Sequence, residues 1–440
     1  MKTKLLLLAI SFSTLATFAQ KKWTLKECVD YALKHNLTVE QNKLNVQLAE
    51  KDVAIARGNF LPDLNGSANS GLSFGLSVQN GARVSTDNFN TSFDLNSRTT
   101  LFNGFRNLNT YKQAKLGVAS SKLDLEVIEN DISLQVINSY LNVLFAKENL
   151  LASQFQAEIS KKQIERAKAQ FDAGAIPKGD LLNVQSTAVS DAQSVVTQQN
   201  NLDLSLLRLA QLLQVTSNGF DVEKIQVDSP SGALLYNNAD MVYAKALTNR
   251  PEIERAKLNI ENSNLGIELA KGAYYPTIGF GAGARTNYVN RFDTTFGGNE
   301  YFFKQLNDEL GYNIGISLNV PLFNRFQTKN RVAKSIINKE QSELALENEK
   351  LRLQQTIEQA YLDAKAAAKA FEAAQISLDA QKEAFKNAQE SFNYGAMTLF
   401  DFDQVRNRLV NAEAALIRAK YDYVFKTKVL KFYFGEDVLD

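Results

Sequence analysis

The chain carries one plan twice. Ala56-Arg57-Gly58-Asn59-Phe60-Leu61-Pro62 matches Ala270-Lys271-Gly272-Ala273-Tyr274-Tyr275-Pro276 at a spacing of 214 positions. Leu101-Phe102-Asn103-Gly104-Phe105 matches Leu322-Phe323-Asn324-Arg325-Phe326 at a spacing of 221. The wider spacing then persists, pairing Tyr140 with Tyr361, Phe171 with Phe392, Gly174 with Gly395 and Asp180 with Asp401. A period of about half the chain excludes a solenoid of short units and imposes a two-fold duplicated architecture.

The 49 basic and 48 acidic residues nearly cancel, so no charge bias points to nucleic acid. Only six prolines and 22 glycines occur, in clusters, and the stretches free of both favour long helices. Residues 1–19 read as a signal peptide. Lys2 and Lys4 precede an apolar run from Leu5 to Ile10, and Ala16-Thr17-Phe18-Ala19 offers a cleavage site. That run is shorter than the ~20 residues of a membrane-spanning helix. The single cysteine, Cys28, forms no disulfide within one chain and is expected as a small apolar residue on the first helix.

Each copy is expected to run helix, strand, strand, long helix, helix. The first, 20–214, places a helix at 25–57, strands at 62–78 and 89–102, a long helix at 104–171 and a return helix at 180–214. Thr24 and Glu27 form a capping box at its start. Residues 215–239 form a linker with a turn at Ser229-Pro230-Ser231-Gly232. The second copy, 240–440, places a helix at 240–271, strands at 276–290 and 310–323, a long helix at 325–392 and a return helix at 401–434. Asn103 and Asn324 are candidate N-caps of the long helices.

The strands rest on period-two patterns. Tyr312, Ile314, Ile316, Leu318 and Val320 alternate with Asn313, Gly315, Ser317 and Asn319. Ile278, Phe280, Ala282 and Ala284 alternate with Gly279, Gly281 and Gly283. The long helices rest on a coiled-coil seam. Leu353, Ile357, Ala360, Ala364, Ala367 and Phe371 step by alternating four and three, and the same positions of the first copy are apolar or small. Each long helix, at roughly 1.5 Å per residue, reaches roughly 100 Å. Two short helices end to end match one long one.

Four strands are too few to close a barrel, which takes about eight. They pack as an ordinary soluble core, or several chains pool their strands into one closed barrel in lipid, where an open sheet edge is not tolerated. Export, strand lengths near those of tilted membrane strands and a polar Gly/Ser/Asn/Thr face favour the second. Tyr288, Phe292, Phe296, Tyr301, Phe302 and Phe303 mark the loop of the second strand pair as an interfacial rim or a folded external loop. The periodicity by itself specifies an oligomer of two or more chains.

The duplicated order of these motifs resembles the TolC-like outer membrane efflux proteins over nearly the whole mature length. The matching elements are Pro62 and Pro276, Leu-Phe-Asn at 101–103 and 322–324, and Phe-x-x-Gly-x-x-x-x-x-Asp at 171–180 and 392–401. The resemblance implies an α+β membrane protein. Four strands from each of three chains form a 12-stranded trimeric β-barrel, continued by a long antiparallel α-helical coiled-coil barrel. It implies a homotrimer in the outer membrane of a Gram-negative bacterium, extending into the periplasm and fed by a periplasmic adaptor (membrane fusion protein) and an inner-membrane transporter. The expected role is the channel-tunnel of a tripartite efflux system, a passive export duct for small toxic compounds. Type I protein secretion or metal export is the alternative, and a soluble periplasmic coiled-coil scaffold is a further one.

The resemblance also assigns the turns at Gly174, Ala175, Gly395 and Ala396 to adaptor-contacting tips. It sets Asp180, Asp401, Phe392, Met397 and Phe400 at a periplasmic gate. Asp180 and Asp401 equally suit helix N-capping. The family's best-known gate uses Tyr and Arg where this chain has Phe392 and Met397, which favours an apolar constriction. No catalytic, cofactor-binding or metal-ligating set is expected, because one histidine, His35, and one cysteine make neither a triad nor a zinc site. The chain is therefore not expected to be an enzyme.

Overall fold

The computed structural model describes residues 22–79, 81–224, 236–293 and 298–436. The expected signal peptide at 1–19, the turn at 229–232 and Phe296 lie outside the described residues. The first copy comprises β1 (Lys22–Trp23), α1 (Leu25–His35), α2 (Leu37–Gly58), β2 (Asn65–Ser73), β3 (Leu76–Gln79), β4 (Ala82–Ser85), β5 (Asn88–Phe102), α3 (Arg106–Asp172) and α4 (Lys178–Leu213). After β6 (Asp221–Val222) the second copy brings α5 (Ala239–Asn249), α6 (Pro251–Lys271), β7 (Thr277–Arg291), α7 (Phe302–Asp308), β8 (Gly311–Asn319), α8 (Gln327–Asn393) and α9 (Leu399–Phe434). The bounds of α3 and α4 recur in α8 and α9 at the 221-residue spacing.

The structure corrects several expected bounds. A single helix at 25–57 is instead two, because Asn36 leaves helical geometry at φ −66° and ψ 127°. Its side chain accepts from Thr38 N at 2.9 Å and so restarts the helix. The helix at 240–271 breaks at Arg250, which the ring of Pro251 drives into the extended region. The strand at 62–78 ends at Ser73, and 76–79 pairs instead with 82–85 in a separate hairpin. The strand at 310–323 stops at Asn319, before Pro321, which has no amide to give to a ladder. The long helices begin at 106 and 327, two residues later than expected. Gly104, Phe105, Arg325 and Phe326 all hold positive φ, and these left-handed pairs turn each strand into its helix.

The chain divides into two compact units. One holds 1–43, 124–253 and 348–440; the other holds 44–123 and 254–347. In the first, most seam residues expected from sequence are buried, including Val136, Val143, Ile357 and Ala364, while Phe371 is half-buried and Phe171 is exposed. Tyr140 is fully buried, and its hydroxyl donates to Trp23 O at 3.1 Å and Glu223 O at 2.6 Å, tying down β1 and β6, which pair in parallel. The duplicate Tyr361 donates to Asn237 O at 3.1 Å. Cys28 is fully buried, and burial followed by the nearby Glu27 charge pushes its thiol up to about 12. His35 stacks on Tyr31 at the surface.

The second unit holds an antiparallel sheet of order β2-β5-β7-β8. Its helical parts follow the same order. Asn107 Nδ2 donates to Asn59 O, Gln113 Nε2 donates to Asn262 O, and Ser263 meets Ser342. Thus α2, α3, α6 and α8 form a wall of adjacent helices beside strands arranged alike. Where β5 becomes α3 and α6 becomes β7, two glycines touch. A Cβ on Gly104, at φ +69°, falls 2.2 Å from Gly272 O. Gly104→Ala therefore adds left-handed strain to a clash with backbone. It is expected to lower stability by about 1–3 kcal/mol, read as a drop in the temperature at which the assembled protein dissociates in detergent.

Candidate functional site

The sheet has two chemically opposite faces. Strand register puts Leu95, Ala284 and Tyr312 in one row, and Thr99, Phe280 and Ile316 in another, all on the same side. The opposite side carries Asn65, Ser67 and Asn69 on β2, Gly279, Gly281 and Gly283 on β7, and Asn313 and Ser317 on β8. The β7 glycines leave room for their neighbours. A Cβ on Gly283 comes within 2.8 Å of both Asn96 Oδ1 and Asn313 Oδ1. Its one cross-strand ion pair among the described residues, Asp94 with Arg285 at 3.5 Å, is also on the polar side.

Away from Thr286 and Tyr288, where α7 packs, the apolar face is uncovered in the single chain. Ile314 and Ile316 are 77% and 72% exposed. Exposed aromatic rings lie just beyond both ends of the strands, Phe105, Tyr275 and Phe323 at one and Phe74, Phe292 and Tyr301 at the other. This is the layout of a lipid-facing band between two aromatic girdles. The expected aromatic loop is in part a helix, α7, fastened to β7 by Thr286 Oγ1 donating to Leu306 O and by the Tyr288–Phe302 ring contact at 4.8 Å. At 15 residues each, β5 and β7 are roughly 50 Å long at ~3.4 Å per residue. A tilt of ~45° leaves roughly 35 Å across a membrane, enough for the ~30 Å hydrocarbon core. Among the described residues no helix is long and apolar enough to cross a membrane.

Strands β2 and β8 are the sheet's edges, each paired on one side only. In hydrocarbon each unpaired amide or carbonyl costs several kcal/mol, so two open nine-residue edges are prohibitive. Gly66 opposes Leu95, and their counterparts Phe280 and Ile316 oppose each other. Pairing within each copy therefore follows one register. The join between copies, Leu95 opposite Ala284, has as its counterpart Ile316 opposite Ser70, which no single sheet of this chain supplies.

The hairpin turns hold the other expected site residues. Gly174 and Gly395 sit at φ +75° and +73° and end the long helices in matched caps. Ala175 N donates to Gln170 O and Ala396 N to Ser391 O, both at 2.8 Å. Ala175 and Ala396 are exposed. Asp180 lies in the first turn of α4, half-buried, its amide donating to Pro177 O. Asp401 is engaged in a cap: its amide donates to Thr398 Oγ1 at 3.2 Å, and the Thr398 hydroxyl donates to Asp401 Oδ2 at 2.7 Å. Phe392 stacks on the buried Phe402 at 4.8 Å. Met397 is half-buried, and Phe400 is 70% exposed. In one chain, then, Phe392 belongs to the packing between α8 and α9, and Phe400 stands out on the surface.

Sequence reading missed a buried charge cluster on α9. Arg406 is 2% exposed. Its Nη1 donates to Ser160 Oγ at 3.0 Å and Gln163 Oε1 at 3.3 Å and lies 3.6 Å from Asp191 Oδ2. Ser160 in turn donates to Asp191. Asp403 Oδ1 is 3.7 Å from Arg406 Nε, and burial raises the Asp403 carboxyl above its usual range while Arg406 opposes that rise. The cluster joins α3 and α4 of the first copy to α9 of the second. A signal existed: the duplicate of Arg406 is Gln185, and those of Asp191 and Asp403 are Ala412 and Leu182. Charge present in one copy and absent from the other marks a place where the duplication has diverged.

The family model described as "Outer membrane efflux protein" matches residues 28–214 and 242–436. The outer membrane efflux protein BepC of Brucella suis is 22% identical over 411 residues, 92% of this chain and 84% of that protein. The outer membrane protein TolC of Escherichia coli is 22% identical over 447 residues, covering 98% and 85%. The alkaline protease secretion protein AprF of Pseudomonas aeruginosa is 22% identical, covering 88% and 79%. Among solved structures, CusC superposes with a TM-score of 0.80 at 17% identity over 96% of both chains. The Campylobacter jejuni outer membrane channel CmeC gives a TM-score of 0.76 at 20% identity, covering 94% and 87%.

Proposed function

The chain belongs to the outer membrane efflux protein family of outer-membrane channels, and from that premise we propose that it is the exit duct of a tripartite efflux system. Three copies close their four-stranded sheets into a 12-stranded barrel. The helices continue the barrel as an antiparallel coiled-coil tunnel in the periplasm. The polar face lines the lumen and the apolar face meets lipid. An inner-membrane transporter and a periplasmic adaptor deliver small toxic compounds, which leave without chemical change. The observation that carries this reading is the pair of open edges, β2 and β8, on a sheet whose one face is apolar and, away from α7, uncovered.

The turns at Gly174 and Gly395 are the proposed adaptor-contacting tips. Asp180, Asp401, Met397 and Phe400 are the proposed gate residues. Asp401, already bound to Thr398, contributes through the shape of the turn as well as its charge. The similarity to AprF supports a second reading, the outer-membrane component of protein secretion, with the same duct and a different inner-membrane partner.

The test is reconstitution. Purified protein in detergent is expected to have the mass of three chains and to form discrete ion-conducting steps in planar bilayers. A trimer that never conducts, or a monomer stable in water without detergent, contradicts the proposal. Loss of resistance to a panel of toxic compounds on deletion separates efflux from secretion.

A further inference from the structure

Every charged residue on the four strands of the sheet stands on its polar side. Alternation places Asp94 and Arg98 of β5 there, with Arg285 and Arg291 of β7. Strands β2 and β8 carry no charge. The Asp94–Arg285 pair is uneven. The carboxylate side chain is 23% exposed and the arginine 68%, so the cation is the member that meets solvent. Arg98 lies opposite Gly281, where an added Cβ meets only Ser97 O, at 3.8 Å. Its amide donates to Asp63 Oδ1 at 2.7 Å, but among the described residues its exposed side chain makes no ion pair. The fold makes no use of this charge.

We propose that the barrel section of the duct is an anion filter, which favours small organic anions bearing carboxylate, sulfate or phosphate groups over cations of the same size. The inference rests on the ring proposed above, which makes the polar side the lumen and repeats each arginine in every chain. Rings of arginine favour anions, as rings of carboxylate favour cations. Even with Asp63 counted beside Asp94, each chain sets Arg98, Arg285 and Arg291 against two carboxylates, so the wall is net cationic. The join between chains adds no charge, since it brings the neutral β8 against the neutral β2.

Two of the cationic levels lie well inside the strands. The cross-strand positions of Asp94 with Arg285 and of Arg98 with Gly281 are separated by roughly 14 Å along β5. A wall charge acts over ~10 Å at 0.1 M salt. The two fields therefore overlap, and a passing anion meets one continuous cationic stretch. Such a wall raises the local concentration of anions without binding any one of them tightly. The duplicate position of Arg98 is Asn319, so this charge is present in one copy and absent from the other.

Reversal potentials in planar bilayers under a KCl gradient test this. At low salt the wild-type protein is expected to favour chloride. The preference should fade toward 1 M, where charges act over only about 3 Å. Arg98→Gln with Arg285→Gln should shift the reversal potential toward that of potassium. Arg98→Gln alone breaks no ion pair and should shift it the same way by less, which keeps the test open if the double variant fails to assemble. Asn319→Arg, which installs in the second copy the charge of the first, should shift it toward that of chloride. A conducting wild type that favours potassium, or one whose reversal potential Arg98→Gln leaves unmoved, overturns the filter and leaves the duct standing. A protein that never conducts removes the duct, and the filter with it.

Discussion

Ile316→Arg is expected to remove the protein from the outer membrane, whereas Asn319→Arg, three residues further along the same strand, assembles and alters conductance. Ile316 is central on β8 and on the apolar face, opposite Phe280. An arginine facing lipid near the midplane costs about 2–4 kcal/mol, and a ring of three chains incurs it three times. Asn319 lies opposite Thr277 on the polar side. There a guanidinium stays hydrated and acts on passing ions only. Membrane fractionation and heat-modifiable gel migration read assembly, and single-channel recording reads the lumen. Equal damage from both substitutions contradicts the assignment of faces.

Arg406→Leu is expected to destabilise the helical unit by about 3–5 kcal/mol. The loss arises less from the bonds Arg406 makes than from the carboxylates it leaves behind. Asp191 and Asp403 lose the guanidinium between them, in a site already dry enough to raise the Asp403 carboxyl. Exchanging the whole cluster should cost far less than breaking it. The triple variant Arg406→Gln, Asp191→Ala, Asp403→Leu installs what the duplicate positions already carry, Gln185, Ala412 and Leu182. It is expected to recover most of the thermal stability lost by Arg406→Leu. A triple variant as unstable as the single one means that helix packing, not charge compensation, dominates this site.

The legible parts of the fold were those with a period. Alternation along β5, β7 and β8, and the four-and-three stepping along α8, placed the sheet faces and the buried seam residues such as Ile357 and Ala364. The corners were less legible because single residues decide them. The break after Arg250 has a visible cause in Pro251. Its counterpart at Asn36 depends on a side chain capping Thr38 and donating to Leu212 O, 176 residues away. The fate of 76–79 turned on partner choice, since its residues alternate as well as those of β2. Of the site residues, the glycine turns were readable from conformation alone. The expectation that Asp180 and Asp401 cap their helices did not hold: the cap positions are Pro177 and Thr398, and each aspartate lies in the first turn, Asp401 as the partner of Thr398. Arg406 was missed because its partners lie far away in sequence, at Ser160, Gln163 and Asp191.

The proposed barrel closes only if β8 of one chain pairs with β2 of the next. The intrachain join sets the register: Asn96 opposite Gly283 becomes Ser317 opposite Asn69 of the neighbour. A Ser317→Cys, Asn69→Cys variant oxidised in the outer membrane is therefore the most direct measurement. The prediction is a covalent ladder ending at three chains. A disulfide confined to one chain, or none at this or the adjoining registers, contradicts it.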